Sequence, residues 1–284
     1  MKETDLNGRL YEVDPSLEEA VSHFYHVYSN KETSPIWKHL SPNLEMLLIF
    51  NFGPEVSVSF GNENPETQVI RQTAILGPLR KMLNYHLPAD ADSIIVNFKL
   101  NGFYRMFKMS ISELSGNDIL DPNRLVRNAY VHECWQEMAE LKDINARLQF
   151  LNKYLISILK KDEEEVKPLL AGESYFYDPA MQPAKAIAGD AGLTERTVQL
   201  RFKKYAGYSP KELLRFLRFK AVIHQLLQPS DHPVQIFDLV VDHHYHDQSH
   251  LIKDFKHFLG TTPQQFIKKL RNNEFYIIGQ DKTN

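Results

Sequence analysis

Cysteine is almost missing from this chain: its 284 residues include one, Cys134. A lone thiol closes no internal disulfide and builds no multi-thiolate zinc site, so a secreted disulfide framework is excluded and a reducing cytoplasm is the expected location. Long apolar runs are missing too. The longest extend only a handful of residues, far short of the roughly 20 that cross a bilayer, so no membrane association is expected. The opening MKETDLNGRL is polar, unlike the basic and then apolar start of a secretion signal. Catalytic signatures are equally scarce. There is no G-x-S-x-G nucleophile elbow and no phosphate-cradling glycine loop, and VHECW around His132 lacks the second histidine of a zinc protease. Cys134 reads as a small buried residue. The expectation is a protein that is not an enzyme, with no catalytic residue and no cofactor.

What is present is an ordinary globular composition, 43% hydrophobic and 24% charged, in a chain long enough for two domains. A formal net charge of -3 conceals a split. Residues 1–184 carry 18 basic against 26 acidic side chains, residues 185–272 carry 14 against 8, and the rest 1 against 2. Between Arg196 and Lys220 there are eight basic residues and one acid, Glu212. Such asymmetry suits a C-terminal part that meets a polyanion, although a solvated helical surface has the same composition.

The stretch HHYHDQSHLIKDFKHFLGTTP, residues 243–263, holds five histidines in fifteen positions. His246 and His250 are spaced i, i+4, as zinc ligands on a helix often are. A histidine-based metal protein is therefore one reading, but no HExxH glutamate or cysteine accompanies them, and Asp247 and Asp254 interrupt the pattern. No metal ligand is assigned. An internal repeat accounts for the same residues. TERTVQLRFKKYAGYSP from Thr194 lies over DQSHLIKDFKHFLGTTP from Asp247 at an offset of 53, matching Phe202 with Phe255, Lys203 with Lys256, Gly207 with Gly260 and Pro210 with Pro263.

Each copy opens on a helix-capping residue, Thr194 or Asp247, and closes on a glycine suited to a left-handed C-terminal cap. The spacing predicts two helices of about three turns. Val198, Phe202 and Tyr205 fall on one side of the first, with Arg196, Gln199, Leu200 and Lys203 opposite. In the second, Leu251, Phe255 and Phe258 face inward and Ser249, Lys253 and Lys256 outward, with Gln248 and Ile252 at the margins. A shorter helical segment and a tight joint precede each copy, AKAIAGDAGL and VQIFDLVVDHHYH. That is the plan of a helix-turn-helix, whose second helix enters the DNA major groove. Between the copies, SPKELLRFLRFKAVIHQLL has a capping box, Ser209 with Glu212, and proline at the first helical position. A long helix apolar on more than one side would hold the two units apart and let them read major-groove segments about 34 Å apart without a dimer.

These residues closely resemble the AraC/XylS family of bacterial transcription regulators, whose DNA-binding domain joins two helix-turn-helix units by a long helix. The resemblance covers roughly the last hundred residues before the tail and is carried by GLTERTVQLRFKKYAGYSPKELLRFLRF and YHDQSHLIKDFKHFLGTTPQQF. It implies base reading by Arg196, Gln199 and Leu200 in the first unit and by Gln248, Ser249, Ile252 and Lys253 in the second. Thr197, Lys203, His250 and Lys256 complete the expected DNA contacts. It also implies double-stranded DNA and RNA polymerase as partners, and transcription regulation as a role, as an activator or a repressor. Two departures are visible. His244 stands where the family usually has a glycine in the second turn, so a left-handed conformation there is costlier. Leu200 replaces a polar side chain and is suited to a thymine methyl group.

Residues 1–118 read as short strands. LEMLLIFNFG, EVSVSF, SIIVNFKL and FYRMFKMS cluster or alternate apolar residues between Pro, Gly and Asn, while PSLEEAVSHFYHVYS fits a helix or a strand. Their arrangement is similar to the cupin-like sensor of some AraC-type regulators, which implies a barrel and a small-molecule effector; the clustered His and Glu of a metal-binding cupin are missing from the stretch, so no metal is expected. Phe50, Phe52, Trp37, Phe98, Phe103 and Tyr104 are candidates to line its mouth, against the ordinary reading as core. His23 and His26 invite the same ligand reading and the same answer. Residues 119–168 have helical spacing, with Leu125, Ala129, Trp135, Met138, Leu141, Leu148, Leu151 and Leu155 in apolar stripes. They would couple the two domains, pair with a second copy, giving a homodimer, or simply cover the barrel. The expected fold is therefore α+β: a β-rich cupin-like barrel (1–118), a helical linker (119–168), an all-α double helix-turn-helix domain (169–272) and a tail (273–284). A regulator that acts through protein contacts with weak DNA binding is the alternative that Leu200 and His244 keep open.

Overall fold

A computed structural model describes residues 8–61, 67–114, 119–125, 130–178, 180–228 and 235–271. Ala129 and the tail 273–284 lie outside the described residues. The N-terminal part holds strands β1 (Gly8–Tyr11), β2 (Val21–Tyr28), β3 (Ile36–Leu40), β4 (Met46–Asn51), β5 (Val56–Phe60), β6 (Gln68–Ile70), β7 (Thr73–Leu76), β8 (Leu83–Leu87) and β9 (Asp92–Phe98). They form two antiparallel sheets, one in the order β1-β2-β9-β4-β7 and one in the order β3-β8-β5-β6. PSLEEAVSHFYHVYS divides into a single 3-10 turn, Pro15–Leu17, followed by strand β2.

Within the five-stranded sheet β4 is buried on both faces, which is why MLLIFN is apolar almost throughout rather than alternating. On β9, Ile94, Val96 and Phe98 point away from the second sheet, into a core shared with Phe24, Leu48 and Phe50. Ser93, Ile95 and Asn97 of the same strand line a cavity between the sheets. The outer core is closed by helices α1 (Gly102–Phe107), α2 (Pro122–Leu125), α3 (Val131–Glu140) and α4 (Ile144–Ile158), through Phe103, Met106, Cys134, Met138, Leu148, Leu151 and Leu155. Each of these side chains, fully buried, stabilises the fold by about 1.5–3 kcal/mol relative to exposure. The predicted stripes of α3 and α4 thus cover the sheet.

One basic side chain fastens this layer. Arg147 of α4 donates to the backbone oxygens of Met138 and Leu141 at 3.0 and 2.7 Å, ending α3. It also pairs with Asp92 at 2.6 Å and lies 4.2 Å above the Phe52 ring.

FYRMFKMS departs from its reading as a strand: its first five residues belong to helix α1. Phe103, Met106 and Phe107 recur at i, i+3, i+4 and meet Phe98 of the sheet core, whereas Tyr104 turns toward the C-terminal part. Tight packing requires Gly102 at the first position, where a Cβ would stand 1.8 Å from the Ala20 carbonyl oxygen.

The C-terminal part contains α5 (Lys167–Ala171), α6 (Pro183–Ala191), α7 (Glu195–Ala206), α8 (Pro210–Leu227), α9 (Ile236–Asp242), α10 (Gln248–Leu259) and α11 (Pro263–Arg271). Its core joins Val198, Phe202 and Tyr205 of α7 with Leu251, Phe255 and Phe258 of α10 around Phe216, Phe219 and Val222 of α8. The fold is α+β, antiparallel sheets followed by a helical C-terminal domain.

Candidate nucleic-acid interface

Two helix pairs, α6–α7 and α9–α10, flank α8. Helix α7 starts where the Thr194 hydroxyl accepts the Thr197 N–H at 3.1 Å, and α10 where Asp247 accepts the His250 N–H at 2.7 Å. Each cap satisfies a donor that the first turn leaves unpaired. Gly207 and Gly260 end the two helices at φ +81 and +65, the left-handed conformation that costs glycine nothing. Helix α8 opens on the full capping box: Ser209 Oγ accepts the Glu212 N–H and the Glu212 carboxylate accepts the Ser209 N–H.

The two turns solve one problem differently. In the first, the left-handed residue is Gly192, at φ +64; in the second it is His244, at φ +53. His244 thus holds the glycine-like conformation anticipated for it.

Outward faces follow from the caps and the buried stripes. Arg196, Leu200 and Lys203 are exposed on α7, Leu200 by 51%, with Thr197 and Gln199 half-buried beside them. On α10, Gln248, Ser249, Lys253 and Lys256 are exposed, and His250 and Ile252 half-buried. The two faces therefore present guanidinium, amide, hydroxyl, ammonium and two branched apolar groups, a set able to bond base edges, touch thymine methyls and neutralise phosphates.

The histidines disperse. His243 bonds Gln225 of α8, His250 lies edge-on to Tyr245 with ring centroids 5.1 Å apart, and His246 is exposed beside Asp247. Among the described residues no three His, Cys, Asp or Glu side chains converge as metal ligands would.

The C-terminal end of α7 is occupied by a contact that the sequence reading did not anticipate. Residues 163–165 run past it: Arg201 donates to the Glu165 carbonyl at 3.1 Å, Lys204 to the Glu165 carboxylate at 3.2 Å, and the Tyr205 hydroxyl to Glu163 at 2.7 Å. Tyr104 and Lys108 of the N-terminal part reach the same Glu163 carboxylate, each at 3.1 Å. Chiefly through the Tyr205 hydroxyl, the Glu163 carboxyl is held down to about 2. The Tyr205 hydroxyl and the Glu165 carboxylate raise the ammonium of Lys204 above the ordinary lysine range, and burial raises the phenol of Tyr205. Arg80 adds a bond to the Gly207 carbonyl, and the Met82 N–H donates to the Phe258 carbonyl at 2.9 Å. Both outward-facing helices are thus held at their C-terminal ends by the β-rich part.

A cavity of about 770 Å³ lies between the sheets, and α8 forms part of its wall with Phe216, Phe219, Lys220, Ile223 and His224. Its aromatic strand residues are Tyr25 and Tyr85, with His23 and Asn97 among the polar ones. None of the six aromatics proposed from the sequence lines it. Phe50, Phe98 and Phe103 fill the outer core, Tyr104 packs on Tyr205, Phe52 lies against Trp135, and Trp37 is exposed beside His86. Strand parity, set by pairings such as Tyr25 with Ile95, decides which aromatics face the cavity. Of the two histidines, His23 lines it and His26 bonds Asp92 on the other face.

Comparison with known proteins agrees with this geometry. A family model described as a helix-turn-helix domain matches residues 187–269, and one described as a domain of unknown function (DUF6597) matches residues 10–120. The regulatory protein HrpB of Ralstonia nicotianae is 28% identical over 83 residues, 29% of this chain and 17% of HrpB, so the chain spans under one fifth of that relative. Among solved structures, ToxT from Vibrio cholerae is 12% identical, with 92% of this chain and 98% of ToxT covered and a TM-score of 0.40. The AraC-like transcriptional activator CuxR is 10% identical, with 75% and 85% covered and a TM-score of 0.28. The family model described as a helix-turn-helix domain thus spans the residues that form the two capped helices and the long helix between them.

Proposed function

We propose that this protein is a sequence-specific DNA-binding transcription regulator that places α7 and α10 in successive major-groove segments of one duplex. The observation that carries the reading is the duplication itself: two capped helices with buried aromatic stripes and exposed polar faces, built on the same helix α8. Arg196, Gln199, Leu200, Gln248, Ser249, Ile252 and Lys253 read bases in this scheme. Thr197, Lys203, His250 and Lys256 hold the backbone. Because one chain carries both readers, no dimer is required for a bipartite site. RNA polymerase is the further partner that the family resemblance adds.

A small-molecule effector is the second half of the proposal. What supports it is the cavity, within the range of about 300–1,000 Å³ that suits small ligands. An occupant would touch α8, the helix on which both readers are mounted, and would bias their separation or tilt.

The test is selection of duplexes from a random library by the full chain, followed by titration of the selected site and of random DNA. Arg196→Ala and Gln248→Ala are each expected to cost about 1–3 kcal/mol on the selected site alone, and Lys203→Ala to weaken all duplexes alike. Equal losses on selected and random DNA for Arg196→Ala would reject its assignment to a base.

A further inference from the structure

Within the inward stripe of α10, among Leu251, Phe255, Phe258 and Leu259, stands a carboxylate with no exposure at all, Asp254. A buried charge without partners destabilises a fold by several kcal/mol, so its partners define its role. One carboxyl oxygen accepts from Arg215 Nε of α8 at 2.7 Å; the other accepts from the hydroxyl of Tyr245, in the turn that enters α10, at 3.0 Å. The two partners are braced in turn. The Arg215 guanidinium lies 5.4 Å from the centre of the Phe258 ring, and that of Arg218 lies 5.3 Å from the Tyr245 ring. A single side chain therefore links the reading helix, its entry turn and the shared helix.

Among the described residues the first unit shows no such link to α8. At the repeat offset of 53, Asp254 matches Arg201, which is half-buried and bonds outward to Glu165. Beyond the contacts that both helices make with the β-rich part, the polar side chains at this repeat position tie the first helix to Glu165 and the second to α8.

We propose that Asp254 is a positioning residue for DNA reading, fixing the roll of α10 about its own axis. Apolar packing is non-directional and leaves that roll soft, whereas charge-assisted hydrogen bonds to two separate elements do not. Side chains reach about 5–6 Å from a helix axis, so a roll of about 20° moves the contacting atoms of Gln248 or Lys253 by about 2 Å, enough to break a base hydrogen bond.

The proposal rests on the DNA-reading function above, and one experiment separates the two. Duplexes are selected from a random library with the full wild-type chain. The half read by the second unit is the one whose discrimination falls in Gln248→Ala. In the triple variant Asp254→Leu, Arg215→Met, Tyr245→Phe, apolar groups of similar volume replace the polar link, an exchange that commonly preserves stability. Expected are a Tm within a few degrees of wild type and random-duplex affinity within about twofold, with discrimination in the second half reduced about tenfold or more and the first half unchanged. A folded triple variant that keeps second-half discrimination overturns the proposal, as does equal loss in both halves. If the triple variant does not fold, Tyr245→Phe, which removes one hydroxyl, decides. Loss confined to the second half upholds the role; no loss, or loss in both halves, ends it. Failure of the wild type to select any bipartite sequence removes the DNA-reading function and this proposal with it.

Discussion

Replacing Glu163 with glutamine removes the charge on which Tyr104, Lys108 and Tyr205 converge, and so tests how firmly the β-rich part holds α7. The Glu163 carboxyl lies at about 2, against 4.5 for an unperturbed glutamate. Taken whole, that gap corresponds to about 3 kcal/mol of stability at neutral pH. The side chain is 35% exposed, so solvent screening reduces the expected figure to about 1–2 kcal/mol. The folded-state value is depressed; the contribution is therefore complete above the unfolded value of 4.5 and is lost as pH falls through about 2. Urea unfolding of wild type and Glu163→Gln at pH 7 and pH 3 reads this directly. The difference between the two proteins is expected to be about 1–2 kcal/mol at pH 7 and to shrink below half by pH 3. A difference that is absent at pH 7, or undiminished at pH 3, would refute the reasoning.

Three further outcomes are expected. His244→Gly relieves a left-handed non-glycine residue and should raise stability by about 0.5–1 kcal/mol, part of the gain being offset by unfolded-state entropy; a lower Tm would contradict the strain at φ +53. Gly102→Ala drives a methyl to within 1.8 Å of the Ala20 carbonyl and should destabilise by about 2–4 kcal/mol, seen as a lower urea midpoint at unchanged m-value. Thr194→Ala removes the α7 cap and should cost about 1 kcal/mol, with amide exchange accelerated in the first turn of α7.

Legibility in the sequence followed the range of the forces concerned. Capping is local: Thr194, Asp247 and Ser209 bond backbone three residues away, and Gly207 and Gly260 need only their own φ to end a helix. These features were readable, as was the inward set Val198, Phe202, Tyr205 and Leu251, Phe255, Phe258, because helical period alone selects it. Helix α1 was misread because FYRMF is aromatic enough for a strand, and what makes it helical is a split of contacts, Phe103 and Phe107 to the sheet and Tyr104 to α7. The cavity wall was missed for a related reason. Which face of β2 or β9 looks inward depends on pairing between residues some seventy positions apart, as Tyr25 with Ile95, and no local pattern carries it when both faces are apolar.

The chain by itself determined the duplicated helix-turn-helix unit, its caps, its exposed faces and the left-handed demand on His244, all of which act within one helix or one turn. Only the tertiary structure decided where charges find partners: Glu163 and Glu165 on the end of α7, Arg147 on Asp92, and Asp254 between Arg215 and Tyr245. The physical reason is that a carboxylate is a good surface residue and, when fully bonded, an acceptable core one. Composition and period are the same in both cases, and the burial that distinguishes them exists only once distant elements have packed.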